Sequence, residues 1–187
     1  MRELVNYGHN EADVQLNRRQ DPIMNNLTAA QVKTIGEKLE YEAATTLGRM
    51  IFEFSRLDMN LGLFLVWSDE GSKLDKLTKE VECCSFHQKL NFLKKLIDGK
   101  FVEHSNEYFT YSQWLDAAHA IRDKRNKLIH GRWGIDPYKQ MVVNVVGLPT
   151  SPKQYENYYS IENLEDVLSD VKSLSTQLHK GRKKWPM

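Results

Sequence analysis

The stretch from Leu47 to Val66 constrains this chain more than any other. Leu47, Met50, Ile51, Phe54, Leu57, Leu61, Phe64 and Leu65 recur at spacings of three and four, which is one apolar face of a helix. Phe52, Met59, Leu63 and Val66 follow helical spacing on another side. A helix apolar on two sides has to be covered on two sides, so it is either central in a bundle or lies at a subunit interface. With 187 residues the chain has the size of one ordinary domain and can bury a sizeable core.

Capping patterns set the remaining elements. Thr28 with Gln31 is a capping-box signature, and strong helix formers follow, so a helix is expected to start there. Residues 1–27 before it are polar, aperiodic and interrupted by Pro22, and read as an extended arm. Ser85 with Gln88 repeats the pattern ahead of Phe86, Leu90, Leu93 and Ile97, with Gly99 as the expected stop. Thr110 with Gln113 repeats it again ahead of a stripe of Trp114, Ala118, Ile121, Arg125 and Leu128, which is expected to end in a left-handed turn at Gly131. Beyond it the β-branched run 141–146, the turn residues 147–152 and the tyrosine-rich 154–161 predict a hairpin over about 141–161. Ser160 is the expected cap of a last helix carrying Leu164, Val167, Leu168, Val171, Leu174 and Leu178. The domain is thus expected over 28–180, followed by a basic tail, 181–187.

The formal charge of +1 excludes a global basic field, although 171–187 carry Lys172, Lys180, Arg182, Lys183 and Lys184 with no acidic residue. Cys83 and Cys84 are adjacent and poorly placed to staple a fold, which fits a reducing compartment. No run approaches the ~18 apolar residues of a membrane span, and the first residues lack an apolar signal core, so a cytoplasmic protein without membrane contact is expected.

The chemistry concentrates in residues 122–133, R-D-K-R-N-K-L-I-H-G-R-W. Asn126 and His130 lie four apart on one helical face, Arg122 and His119 fall in the same quadrant, and Arg125 lies to the side with a stem long enough to reach across. Imidazole can take a proton from a ribose 2′-hydroxyl. Arginine offers a fixed fork of donors to phosphate oxygens, and asparagine can donate to phosphate or hold the imidazole in one tautomer. Together they can cut RNA without a metal or cofactor. A His-Gly pair at a helix end is also a common way to satisfy terminal carbonyls and complement the dipole, and that reading stands beside the catalytic one. A metal site would need more than Asp116 with His119 and Glu103 with His104, since no second pair completes the set. Cys83 and Cys84 are expected to be buried as small apolar residues, and His87 and His104 to sit at the surface. Trp67 and Trp114 fall in core phase, which leaves Trp133, beside Arg132, as a platform for a base.

R-N-K-L-I-H, Arg125 through His130, resembles the Arg-x4-6-His signature of the HEPN superfamily, in which a polar residue often follows the Arg near a helix end. The wider string 122–133, together with F-E-F-S-R-L-D at 52–58 and S-F-H-Q-K-L-N-F-L-K-K-L at 85–96, is similar to HEPN-like bacterial and phage proteins over residues 40–135. The resemblance implies a mainly α fold, a bundle of four to six helices with the small hairpin between the motif helix and the last helix. It also implies a homodimer whose two motifs share a cleft, and metal-independent endoribonuclease activity on RNA. Under it Arg125 and His130 are catalytic and Asn126 is the accompanying polar group; read from the residues themselves, Arg122, Arg132 and Trp133 are the expected substrate-binding groups. Toxin members of the family bring in an antitoxin partner, and phage defence is a second setting. Some toxins carry a Tyr two residues after the His, which a nucleotidyltransferase modifies; here that position is Arg132, which argues against this style of neutralisation. The alternative is a helical dimer that binds a partner protein or nucleic acid and does no chemistry.

Overall fold

In the computed structural model, residues 27–184 are described. They form five helices, α1 (Ala29–Val66), α2 (Leu74–Val81), α3 (Phe86–Lys100), α4 (Asn106–His130) and α5 (Ile161–Lys184), and three strands, β1 (Arg132–Asp136), β2 (Met141–Val146) and β3 (Tyr155–Tyr159), between α4 and α5. The expected N-terminal arm lies outside the described residues, apart from Leu27.

Local chemistry explains the helix starts. Thr28 accepts the Gln31 N–H and Gln31 returns a bond to the Thr28 N–H, and Ser85 and Gln88 do the same for α3. Ser160 and Asn163 exchange the equivalent pair at the head of α5. The third expected cap is corrected: α4 begins at Asn106 behind Ser105, whose Oγ accepts the Tyr108 N–H, and Thr110 bonds back to the Asn106 carbonyl inside the helix. Gly99 also fails to stop α3, which runs to Lys100. The basic end expected as a tail is helical as far as Lys184, where Arg182, Lys183 and Lys184 complement the negative end of the α5 dipole; residues 185–187 lie outside the described residues.

The core forms along α1. Met50, Phe54, Leu57, Leu61, Phe64 and Leu65 are buried, and α5 lies along this face with Leu164, Val167, Leu168, Val171, Leu174 and Leu178 turned in. Helices α3 and α4 close the bundle through Leu90, Leu93, Ile97, Trp114, Leu115, Ala118 and Ile121. The second α1 stripe behaves differently. Phe52, Met59 and Leu63 remain 70%, 59% and 48% exposed, as do Ile51, expected on the first face, and Trp67, whereas Val66 at the end of the stripe is buried, so nothing among the described residues covers this side from Ile51 to Leu63. Trp67 is therefore not a core residue, and neither is Cys83, which is exposed.

The hairpin supplies two of the three strands, β2 and β3, of an antiparallel sheet in the order β1-β2-β3. Strand β1, which sequence periodicity does not mark, pairs Arg132 with Val145 and Trp133 with Asn144, while β2 pairs Val142 with Tyr159. The central strand turns Val142 and Asn144 inward, both fully buried. The sheet packs at the C-terminal end of α4 and so determines how that helix ends.

Candidate functional site

Arg125 occupies a core position of the α4 stripe, between Ile121 and Leu128, yet it carries a charge. Its guanidinium sits over the Phe54 ring, 5.2 Å from the centroid. Nη1 donates to Asn126 Oδ1 at 3.1 Å, and Nε is buried with no acceptor. No carboxylate pairs with it among the described residues. Most buried polar groups find a partner, so an arginine left with one neutral amide and an orphan donor is unusual.

The side chain faces a cleft of about 270 Å³ between α1, α3 and α4, lined by Phe54, Asp58, Ser85, Phe86, His87, Arg122, Arg125 and Asn126. Phe54 and Phe86 pack with ring centroids 4.8 Å apart, and both belong to the buried core. Asp58 is already engaged: Lys89, 9% exposed, reaches its Oδ1 at 2.7 Å and ties α3 to α1. Arg122 gives Nε and Nη2 to Asp123 Oδ1 and Nη1 to Nδ1 of both His87 and His119. A guanidinium has no acceptor atom, so in these two contacts each Nδ1 stands as the acceptor. The rings meet edge on at 5.7 Å, and the Asn91 side-chain amide lies 3.2 Å from His87 Nε2. Burial, then the neighbouring Arg122 and His87, hold the His119 imidazole below the usual histidine range.

His130 is the last residue of α4, exposed, and its imidazole makes no hydrogen bond among the described residues. It stands one turn beyond Asn126 on the same face and is not in the cleft lining. Helix-ending contacts do not consume it. The Leu128 carbonyl receives the Trp133 indole N–H at 3.0 Å and the Asn144 amide at 3.5 Å, both from the sheet. Gly131 is extended rather than left-handed, at φ −86 and ψ 163, and the expected turn is absent. Glycine is required there for a different reason, since a Cβ would overlap the Asn144 side chain.

The site residues expected from sequence therefore separate. Arg122, Arg125 and Asn126 share the cleft, and His130 lies along α4 from it. Arg132 is exposed on β1 with Nη2 3.3 Å from Gln154 Oε1. Trp133 is half-buried, its N–H on Leu128 and its ring 5.8 Å from Tyr159, so its faces serve packing in this fold. Sequence reading expected His87 at the surface, where it lies, and put His119 in the same quadrant as Arg122, but missed that His87 joins them. The capping box at Ser85 was the available signal, because it puts His87 on the first turn of α3.

Fold and site together define a mainly helical protein with an arginine- and histidine-lined cleft beside the end of one helix. No family model, curated protein or solved structure matches this chain. No described helix is long and apolar enough to cross a membrane.

Proposed function

We propose that this chain is a HEPN-type, metal-independent endoribonuclease that uses Arg125 and His130. One observation carries the reading: the sheet satisfies the Leu128 carbonyl and leaves the His130 imidazole unengaged, while Arg125, held by Asn126 and Phe54 and paired with no carboxylate among the described residues, keeps an orphan Nε beside an open cleft. Two further features support it. The strings that carry the resemblance, at 52–58, 85–96 and 122–133, all contribute residues to that cleft. The exposed α1 stripe, with Ile51 and Phe52 a few residues from Phe54 and Asp58, offers an apolar surface next to the cleft on which a second copy can pack.

In this mechanism Arg125 binds the scissile phosphate and Asn126 holds the arginine by its amide oxygen. His130 accepts the proton of the adjacent 2′-hydroxyl as that oxygen attacks phosphorus. The 5′-oxygen leaves and takes up a proton, and the products are a 2′,3′-cyclic phosphate and a free 5′-hydroxyl. Charge growing on the phosphate oxygens is stabilised by the guanidinium fork.

His130→Ala is expected to reduce cleavage of single-stranded RNA in EDTA by about 10²–10⁴-fold, with the melting temperature unchanged. Cleavage persisting in that variant removes His130 from the mechanism. A 5′-phosphate product that needs a divalent ion overturns the reaction class. The exposed apolar stripe also favours a second reading, a non-catalytic helical dimer that binds a partner; a pure wild-type protein that dimerises but leaves RNA intact would select it.

A further inference from the structure

Charge balance in the cleft leaves room for more than one anion contact. Lys89 neutralises Asp58 and Asp123 neutralises Arg122, so Arg125 is the one guanidinium of the cleft without a carboxylate. Two other sources of positive potential face the same space. The first turn of α3 presents the N–H groups of Phe86 and His87, for which no acceptor exists among the described residues, since Ser85 serves Gln88 and Lys89. The imidazoles of His87 and His119, both on Arg122 Nη1, are the second source when protonated.

Resting on the enzyme reading above, we propose that His87, Arg122 and the first turn of α3 form a second phosphate subsite, which holds the diester next to the one that Arg125 engages. Arg122 and Arg125 are three apart on α4, with Cβ atoms roughly 5–6 Å apart, a separation suited to successive phosphates of one strand. The substrate class is thus single-stranded RNA lying across α4, from the α3 end of the cleft toward His130. Arg122 now spends Nη1 on two histidine acceptors. A phosphate arriving beside it supplies a better acceptor, and a protonated His87 turns from acceptor to donor toward that same phosphate. Anion binding and protonation are therefore linked.

Every charged group facing the pair enters this balance. Arg122 opposes an added proton on His119, Asp123 and Asp116 favour it, and Asp58 is tied up by Lys89. The lowered His119 value in the free protein, caused by burial and then by Arg122 and His87, is the state that a bound phosphate would reverse.

The test uses the full chain carrying His130→Ala, so that RNA stays intact, and a fluorescein-labelled single-stranded RNA as the probe. Affinity is measured by anisotropy near pH 6 and near pH 8 over a range of salt. The subsite is expected to give tighter binding at the lower pH. His87→Gln should remove most of that pH dependence, and Arg122→Gln should weaken binding by about tenfold and lower the salt slope by about one. Arg122→Lys, which keeps the charge, should recover much of the affinity, and melting curves on each variant identify any that fail to fold. Binding that is absent, or that has the parent's affinity, pH dependence and salt slope in folded Arg122→Gln and His87→Gln, overturns the subsite. The two readings fail separately. RNA binding that depends on His87 and Arg122, in a chain whose wild type does not cleave, retires the enzyme and keeps the subsite. Wild-type cleavage with KM indifferent to both variants does the reverse.

Discussion

The two ends of α4 lie in one continuous helix and treat polar groups in opposite ways. At the N-terminal end Tyr111, Trp114, Leu115 and Ala118 are buried, and the Trp114 indole N–H meets the Leu174 carbonyl on α5 at 2.9 Å. At the C-terminal end the same stripe carries Arg125 with a buried Nε that bonds to nothing, and the helix finishes on an unengaged imidazole. The first end is organised for stability and the second leaves donors available. A fold rarely leaves a buried guanidinium donor without an acceptor unless a ligand supplies one, so the contrast points to function at the second end.

The largest effect expected belongs to the stable end. Trp114→Ala removes a large buried ring and leaves the Leu174 carbonyl short of a donor, and should lower stability by about 3–5 kcal/mol, read by urea denaturation. A loss below about 1 kcal/mol would mean that the two ends do not differ as described. Gly131→Ala should come next, at roughly 1–3 kcal/mol, because the added Cβ meets Asn144. If Gly131→Ala is neutral while Gly131→Asn stabilises, the left-handed turn is the better account after all.

Arg125→Leu reverses the sign. It removes an orphaned donor from an apolar stripe at the cost of the contact with Phe54 and the hydrogen bond to Asn126. The orphan is worth about 1–3 kcal/mol and the lost bond about 0.5–1.5 kcal/mol, and the ring contact about 0.5–1 kcal/mol, so the variant should be about as stable as the parent or up to roughly 1 kcal/mol more so, with RNA cleavage lost. A stabilised, inactive variant is the signature of a residue kept for function. A clear destabilisation would put Arg125 with Trp114, as a structural residue.

Legibility in the sequence followed the range of the interactions. The boxes at Thr28 and Ser85 were readable because both partners lie within four residues, and the core stripes of α1 and α5 were readable because periodicity is local. Thr110 with Gln113 satisfies the same local rule, yet Ser105 caps the helix five residues earlier, because Tyr108, on the turn added, packs against the core and must be helical to do so. Strand β1 was missed since R-W-G-I-D has no alternation of its own and becomes a strand by pairing with β2. The motif residues were recognisable as a string. Their grouping was not: His87, exposed as expected, reaches Arg122 across 35 positions, and nothing local in the sequence marks that contact. The open side of α1 could be read as a stripe but not as uncovered, because that depends on which of its two faces α5 takes.

The smallest effect concerns protons and tests the histidine cluster directly. Burial, followed by Arg122 and His87, holds His119 below its ordinary value of 6.5 in the folded chain. The unfolded chain therefore binds that proton more readily. Above pH 6.5 neither state is protonated at this position and stability is level. As pH falls below 6.5 the unfolded state takes up the proton first, so stability should decline until the pH passes the lowered folded value. His119→Gln should flatten that decline, seen as a smaller loss of melting temperature between pH 7 and pH 5.5, two readings on either side of the ordinary value. Because the ring is partly solvent-exposed, the change is a fraction of what a sealed histidine would give. Saturating phosphate should flatten the same decline in the wild type, since an anion beside Arg122 favours the protonated ring in the folded state. A decline that phosphate leaves untouched, with His119→Gln still flattening it, would make the cluster a structural feature of the α3–α4 contact and would align this end of α4 with the other.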